Sequence, residues 1–376
     1  MEGRAVKVAV VKSDNRRGAV AQALALIADD LKACSRPHVH VKPNLVSHRH
    51  QLPSTHADTL SAAMDSLFAA GATRATVAEG ATDATAGFAR FGYRRELAGR
   101  PVDFLDINRD ETEWLPLELS AMDGSKLTAR VSRTLAQSGC RVSLALAKTH
   151  VTSIVTLSLK NMLSCIHPAD RIMMHGSKGG GNGYTGWKRL AVEFLKGDSL
   201  AVAALTRAMG RVKNVKNHFA GASRPDAWRL LGQKEKGFLR SVEAMNRNLV
   251  ALSRVVKPHV SIVDGFVGMH REGPRHGTPM PLGVVVAGTD AVAVDAVAAA
   301  VMGFDPLRIG YLAYAEAAGL GTACLDAIEI VGDPIATVRR RFVPHSNHAV
   351  ARHWDRMAIL RGPHAPVRSP KTVEAR

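Results

Sequence analysis

Short apolar runs recur along this chain, most of them stopping abruptly at polar residues, with stretches of helical periodicity between them. Each run is too short for a buried helix and is bounded by turn residues, which is the pattern of a strand covered on both faces. Ala5–Val11 reads as a strand and Ala19–Cys34 as an amphipathic helix. His38–Val41 predicts a second strand, ending in Lys42-Pro43-Asn44. The helix Thr59–Ala70 is stopped by Gly71 in the usual C-terminal position. Strands over Ala75–Ala78, Pro101–Asp106 and Val142–Ala147 follow; the first ends in Glu79-Gly80 and the last in Lys148-Thr149-His150. Helical spacing covers Thr156–Cys165. Strand character then disappears until Val260–Val263, which ends in Asp264-Gly265. Leu282–Ala287 ends in Gly288-Thr289-Asp290, a helix from Ala291 to Met302 is closed by Gly303, and Ala327–Val331 is the last strand.

Strands alternating with helices predict an α/β fold of mainly parallel sheets flanked by helices. The gap in the pattern divides it into two α/β lobes, 1–165 and 257–338. Residues 166–256 form a glycine-rich loop and a basic helical insertion, and 339–376 a basic, disordered tail rich in Pro, His, Arg and Ser. Charge sharpens this division. The chain of 376 residues carries a net +17, and nearly all of it lies in two places. Arg207–Lys257 has 12 basic and 3 acidic residues, and Arg339–Arg376 has 9 and 2. Such patches attract nucleic acid or acidic surfaces, but no helix-turn-helix, zinc finger or aromatic RNA platform accompanies them. The N-terminus alternates like a strand and lacks the apolar core of a signal peptide. The longest apolar stretch, Ala291 to Phe304, is broken by Asp295, so a membrane span is not expected and the expected location is the cytoplasm.

In open α/β sheets ligands bind beyond the carboxyl ends of the strands, so the polar strand ends are the candidate site. Asp290 is explained by helix capping. Lys42, Glu79, Lys148 and His150 are poor N-caps and are candidates for chemistry instead. A lysine after a buried strand can meet an anionic ligand, which makes Lys42, Lys148 and Lys160, with Asn44, Asn161 and Arg171, the candidate substrate-binding set. Lys160 sits in an otherwise apolar run, where an ammonium needs water, an acid or a ligand. His150 and His175 are the candidate acid/base groups, with ordinary pKa values near neutrality, and Glu79 would assist them. Asp264, Asp295 and Glu272 are candidate ligands for a divalent metal or iron. Gly176–Gly183 lacks the ending of a Walker loop and reads as a lid or hinge. No GxGxxG follows the first strand, which leaves a nucleotide-cofactor oxidoreductase without support. The four cysteines are far apart, without the spacing of a zinc or iron–sulfur motif.

The segments Val41-Lys42-Pro43-Asn44-Leu45-Val46, Ala78-Glu79-Gly80-Ala81, Ala147-Lys148-Thr149-His150 and Leu159-Lys160-Asn161-Met162-Leu163-Ser164-Cys165-Ile166 resemble the domain-of-unknown-function 362 family. So do Arg171–Gly176, Glu272-Gly273-Pro274-Arg275-His276-Gly277 and Ala287–Asp295, and the likeness runs from about residue 5 to residue 333. Many relatives are linked to iron–sulfur proteins and carry a ferredoxin-like cysteine cluster, which this chain lacks, so the resemblance implies at most an external ferredoxin-like partner. The N-terminal layout is also similar to lactate-racemase-like proteins, which place a cofactor between two α/β lobes. Three functions follow as expectations. The first is an enzyme acting on a small anionic carboxylate or phosphate; the second is a redox protein that binds iron or partners with an iron–sulfur protein. The third is a module binding nucleic acid or an acidic surface.

Overall fold

The computed structural model describes residues 5–110, 113–178, 200–219 and 232–356. Eleven strands are seen among them: β1 Val6–Lys12, β2 His38–Lys42, β3 Arg74–Glu79, β4 Val102–Asp106, β5 Trp114–Ser120, β6 Lys126–Ser132, β7 Arg141–His150, β8 Ile154–Thr156, β9 Val260–His270, β10 Thr278–Gly288 and β11 Ile328–Gly332. Nine form one sheet in the order β11-β1-β10-β9-β7-β2-β3-β4, with β8 on β7; β5 and β6 make a separate hairpin. Most neighbours are parallel, and β10 and β8 run against theirs. The α/β class is as expected. The strands of the two expected lobes share this single sheet: β9 lies parallel beside β7, and β1 sits between β10 and β11.

Alternation of side chains along each strand feeds two cores. Val8 and Val10 face one, with Val263, Val284 and Val286 and the helices Gln233–Val256, Ala291–Val301 and Gly310–Ala317. Ala9 and Val11 face the other, with Val41, Val77, Leu144 and Ile262 and the helices Arg16–Ala25 and Ala57–Ala69. Period-two alternation on a sheet covered by helices thus buries both faces of the same strands.

Several boundaries differ from the sequence expectation. β7 continues through Lys148, Thr149 and His150, because the short β8 pairs with them in register. The expected helix over Thr156–Cys165 is therefore split into β8, the turn Ser158–Asn161 and a 3₁₀ segment Met162–Cys165. In the basic insertion, Gln233–Val256 is a core helix rather than a peripheral one, since Leu239, Val242, Met245, Leu249, Leu252 and Val256 are all buried. The expected disordered tail is packed as far as residue 356: Phe342, Val350, Ala351 and Trp354 join the core, the segments bearing the last three lying against Gln233–Val256. Most of Gly176–Gly183 lies outside the described residues, as do 357–376. Among the described residues no helix is long and apolar enough to cross a membrane.

Candidate functional site

The parallel strands β2, β3, β7 and β9 carry their C-terminal ends to one edge of the sheet, and most of the predicted polar residues meet there. β9 bulges opposite Ala147, between the pairs Leu146↔Asp264 and Lys148↔Met269. Gly268 permits this close approach, since a Cβ there would fall 2.7 Å from the Phe342 ring and 2.9 Å from the Ala147 carbonyl oxygen. A bulge of this kind re-aims the side chains next to it.

One group of residues at this edge is fully neutralised. Lys42 Nζ donates to Glu79 Oε2 at 2.8 Å, and both side chains are buried. Glu79 also accepts from the backbone N–H groups of Leu45, Gly80 and Ala81 and from the Ser164 hydroxyl. Burial alone would raise the Glu79 carboxyl, but the Lys42 charge and the hydrogen bonds from Lys42, Ser164 and Ala81 hold it below its usual value. A carboxylate held by this many donors cannot exchange a proton near neutrality, so the expected catalytic role of Glu79 is replaced by a structural one. Lys42 is spoken for in the same way and does not offer its charge to a substrate. Arg171 donates to Asn108 Oδ1 and to the carbonyls of Ser164 and Ile166, so it clamps the segment that carries Ser164 rather than a ligand.

The three expected metal ligands also separate. Asp264 accepts from Thr59 and the Phe266 N–H and pairs with Arg16 at 3.2 Å. Glu272 accepts from the Ser346 hydroxyl and from His345, whose Nδ1 accepts from the Asn347 N–H. Asp295 accepts from the Ser158 and Leu159 N–H groups at 2.7 and 3.0 Å and from the Tyr311 hydroxyl. Burial raises the Asp295 carboxyl to about 7 despite those bonds. Among the described residues no group of three or more His, Cys, Asp or Glu side chains is placed to hold a metal ion. The donor set does not fit the metal centre expected from Asp264, Asp295 and Glu272.

The second group is different. Lys148 Nζ donates to Asn44 Oδ1 and to the Pro53 carbonyl, both at 2.8 Å. Asn44 is itself fixed by donating its amide to Asn161 Oδ1, while Asn161 donates to the Lys42 carbonyl and to Ser143. Neither partner of Lys148 carries charge. Lys160, on the turn that Asp295 caps, is buried, and among the described residues its ammonium has one hydrogen-bond contact, to Met245 Sδ at 3.7 Å. Burial lowers Lys160 to about 7. Burial, then the neighbouring Arg275, Lys160 and Lys42 charges, lower Lys148 to about 7 against the pull of Glu79.

The two histidines belong to this second group. His150 Nδ1 accepts from the Thr152 N–H at 3.1 Å, which leaves the ring proton on Nε2. Burial, then the charges of Lys160, His175, His345 and Lys148, push His150 well below its ordinary value. Burial and Lys160 lower His175 to about 4. Both rings therefore rest neutral at pH 7, and the expected near-neutral pKa is corrected: His150 presents an N–H donor, and His175 a neutral ring able to accept a proton. Ile154, the first residue of β8, and Arg271, just after β9, adopt positive φ, at 69° and 68°. Such conformations are strained for these residues, and strain of this kind gathers at functional sites.

Sequence reasoning named most of these side chains but could not pair them, and it missed Met245, His345 and Ser164. The lysine in an apolar run was the usable signal for Lys160, and Ser164 lay within the same motif. Met245 and His345 come from the insertion and the tail, and no local pattern marked either.

The family model described as "Domain of unknown function (DUF362)" matches residues 39–300, across the basic insertion and short of both ends of the likeness expected from the motifs. The thylakoid-associated protein sll1697 of Synechocystis sp. is 32% identical over 118 residues, which cover 31% of this chain and 34% of that protein. This chain thus matches about a third of the length of that relative. Among solved structures, the lactate racemase apoprotein from Thermoanaerobacterium thermosaccharolyticum is similar over 45% of this chain and 41% of its own, with 14% identity and a TM-score of 0.33.

Proposed function

The chain belongs to the DUF362 family, whose description assigns no reaction, and from the geometry we propose an enzyme that acts on a small carboxylate or phosphate held by Lys148 and Lys160. The observation that carries this reading is the Lys160 ammonium, buried against a thioether with no acidic partner among the described residues. Burying an unpaired ammonium costs several kcal/mol, and the cost is removed when an opposite charge arrives. Lys148 stands close enough for the two charges to repel, so a single anion would satisfy both. His150 would donate its Nε2–H to the bound anion, and His175 would accept a proton from the reacting group.

Binding of an anion should raise both lysines from about 7 towards their ordinary 10.5, so complex formation takes up protons above pH 7. Calorimetric titration with acetate, lactate and inorganic phosphate, in two buffers of different ionisation enthalpy, measures both affinity and proton uptake. The expected result is saturable binding with proton uptake at pH 8, lost in Lys160→Met. Binding that survives unchanged in Lys160→Met and Lys148→Met would overturn the assignment of this site.

A further inference from the structure

Lys160 differs from every other lysine discussed above in one respect: nothing hydrogen-bonds its nitrogen strongly. Lys42 donates to a carboxylate, and Lys148 donates to two oxygens. Lys160 has only the sulfur of Met245, a weak and polarisable acceptor. Its nitrogen lone pair is therefore not competed for by a strong ion pair when the amine is neutral. Asp295 fixes the turn Ser158–Asn161 through two backbone N–H groups, and Asn161 ties that turn to β2 and β7. The amine is thus held on a rigid element rather than on a mobile loop. A desolvated lysine beside a second cation is the environment in which an amine becomes a nucleophile towards carbonyl groups.

We infer that Lys160 is a covalent nucleophile that condenses with the carbonyl group of a 2-oxo acid whose carboxylate rests on Lys148. This rests on the anion-site reading above and gives it a substrate class: a simple anion bridges both lysines and keeps Lys160 charged, whereas a 2-oxo acid puts its carboxylate on Lys148 alone and turns its uncharged carbonyl group to Lys160, whose amine can then lose its proton. The step balances without an oxidant or a metal. The Lys160 Nζ lone pair forms a bond to the carbonyl carbon, and the carbonyl oxygen becomes a hydroxyl by taking up one of the two amine protons. The second amine proton passes to the neutral His175 ring and from there to that hydroxyl, which leaves as water. Lys160 and the substrate are then joined by a carbon–nitrogen double bond, and one water has been released. Protonation of that bond draws electrons from the neighbouring carbon, so the reactions it favours break a C–H or C–C bond beside the former carbonyl.

The test is reductive trapping. The full chain is incubated with pyruvate and sodium cyanoborohydride near neutral pH, and its intact mass is measured before peptide mapping. The expected product is one adduct per chain, of the mass of pyruvate less one oxygen atom, located on Lys160. It should be absent from Lys160→Arg, a variant that keeps the charge and whose folding is checked by its thermal melt. Lys148→Met should lower the trapping rate at sub-saturating pyruvate by about tenfold or more, the loss expected for one charge-assisted hydrogen bond. Inorganic phosphate should slow trapping in the wild-type chain by occupying Lys148. Adducts spread over surface lysines and equal in Lys160→Arg would overturn the inference. Calorimetric binding of pyruvate without any adduct would overturn it too, while leaving the anion site standing. The absence of both binding and adduct would remove the two together.

Discussion

Two lysine-bearing regions share one edge of the sheet and have opposite electrostatic character. Around Lys42 every charge is answered: the ammonium meets Glu79, and Glu79 in turn meets three backbone N–H groups and a hydroxyl. Around Lys160 the ammonium meets a sulfur atom, and burial lowers its pKa with no acid among the described residues to offset it. The sequence presents the two lysines alike, as single cations beside apolar runs. Their difference lies in what the fold brings to them: the Lys42 counter-charge is built in, whereas Lys160 has none among the described residues, which is the ground for the anion site proposed above.

The comparison can be broken from either side, and the largest effect is expected at the neutralised region. Lys42→Met leaves the Glu79 carboxylate buried without its counter-charge and should destabilise the chain by about 3–5 kcal/mol, the usual cost of breaking a buried pair. Urea unfolding measures it, and a loss under about 1 kcal/mol would mean that the pair is not structural. Lys160→Met should act in the opposite direction and stabilise the ligand-free chain by about 1–4 kcal/mol, because it removes an uncompensated charge. Destabilisation on that substitution would show that Lys160 has a structural partner after all.

The pH dependence of that gain sharpens the contrast. Lys160 is lowered in the folded chain from 10.5 to about 7. Below pH 7 it is charged in both states and the burial penalty is complete; between pH 7 and 10.5 only the unfolded state is charged, and the penalty shrinks as pH rises. The advantage of Lys160→Met over wild type should therefore be largest at pH 6 and decline steadily towards pH 10, as read from paired denaturation curves. A gain independent of pH would sink the assignment. The smallest effect is expected for Asp295→Asn, which keeps one acceptor for the turn bearing Lys160 and loses the other, at about 1 kcal/mol near pH 6. Asp295 is raised from 3.8 to about 7, so wild type loses stability as pH rises from 4 to 7 through this group. The variant should lack that component, and the deficit should narrow over the same interval.

Much of this was legible in the sequence. Period-two apolar runs gave the strands of the main sheet, and the rule for open sheets pointed to their C-terminal ends. The hairpin β5–β6 escaped although Leu117 and Leu119 alternate with the exposed Pro116 and Glu118, because a proline inside a short run argues against a strand. Partnerships were beyond reach for a different reason. Lys42 and Glu79 are 37 residues apart, and Lys160 and Met245 are 85 apart, so only the topology brings them together. Glu79 therefore read as a free acid, although it is saturated. Asp264, Asp295 and Glu272 read as a metal set, although each serves a different segment. The tail read as disordered from its composition, yet Phe342 and Trp354 are apolar anchors whose effect outweighs the polar residues around them.

The position of β1 carries a consequence for biosynthesis. Its two neighbours are β10, which pairs Val8 with Gly288, and β11, which pairs Val6 with Ile328. β1 therefore has no partner in this sheet until synthesis has gone on as far as β10. During that interval its apolar run Val8–Val11 is exposed, and loop closure of this length is slow to be rewarded. β2, β3, β4 and β7, by contrast, can pair among themselves as they emerge, so the growing chain assembles its sheet from the β4 edge towards β11. β1 is among the last strands to be locked, and until then it is a surface for a chaperone to hold.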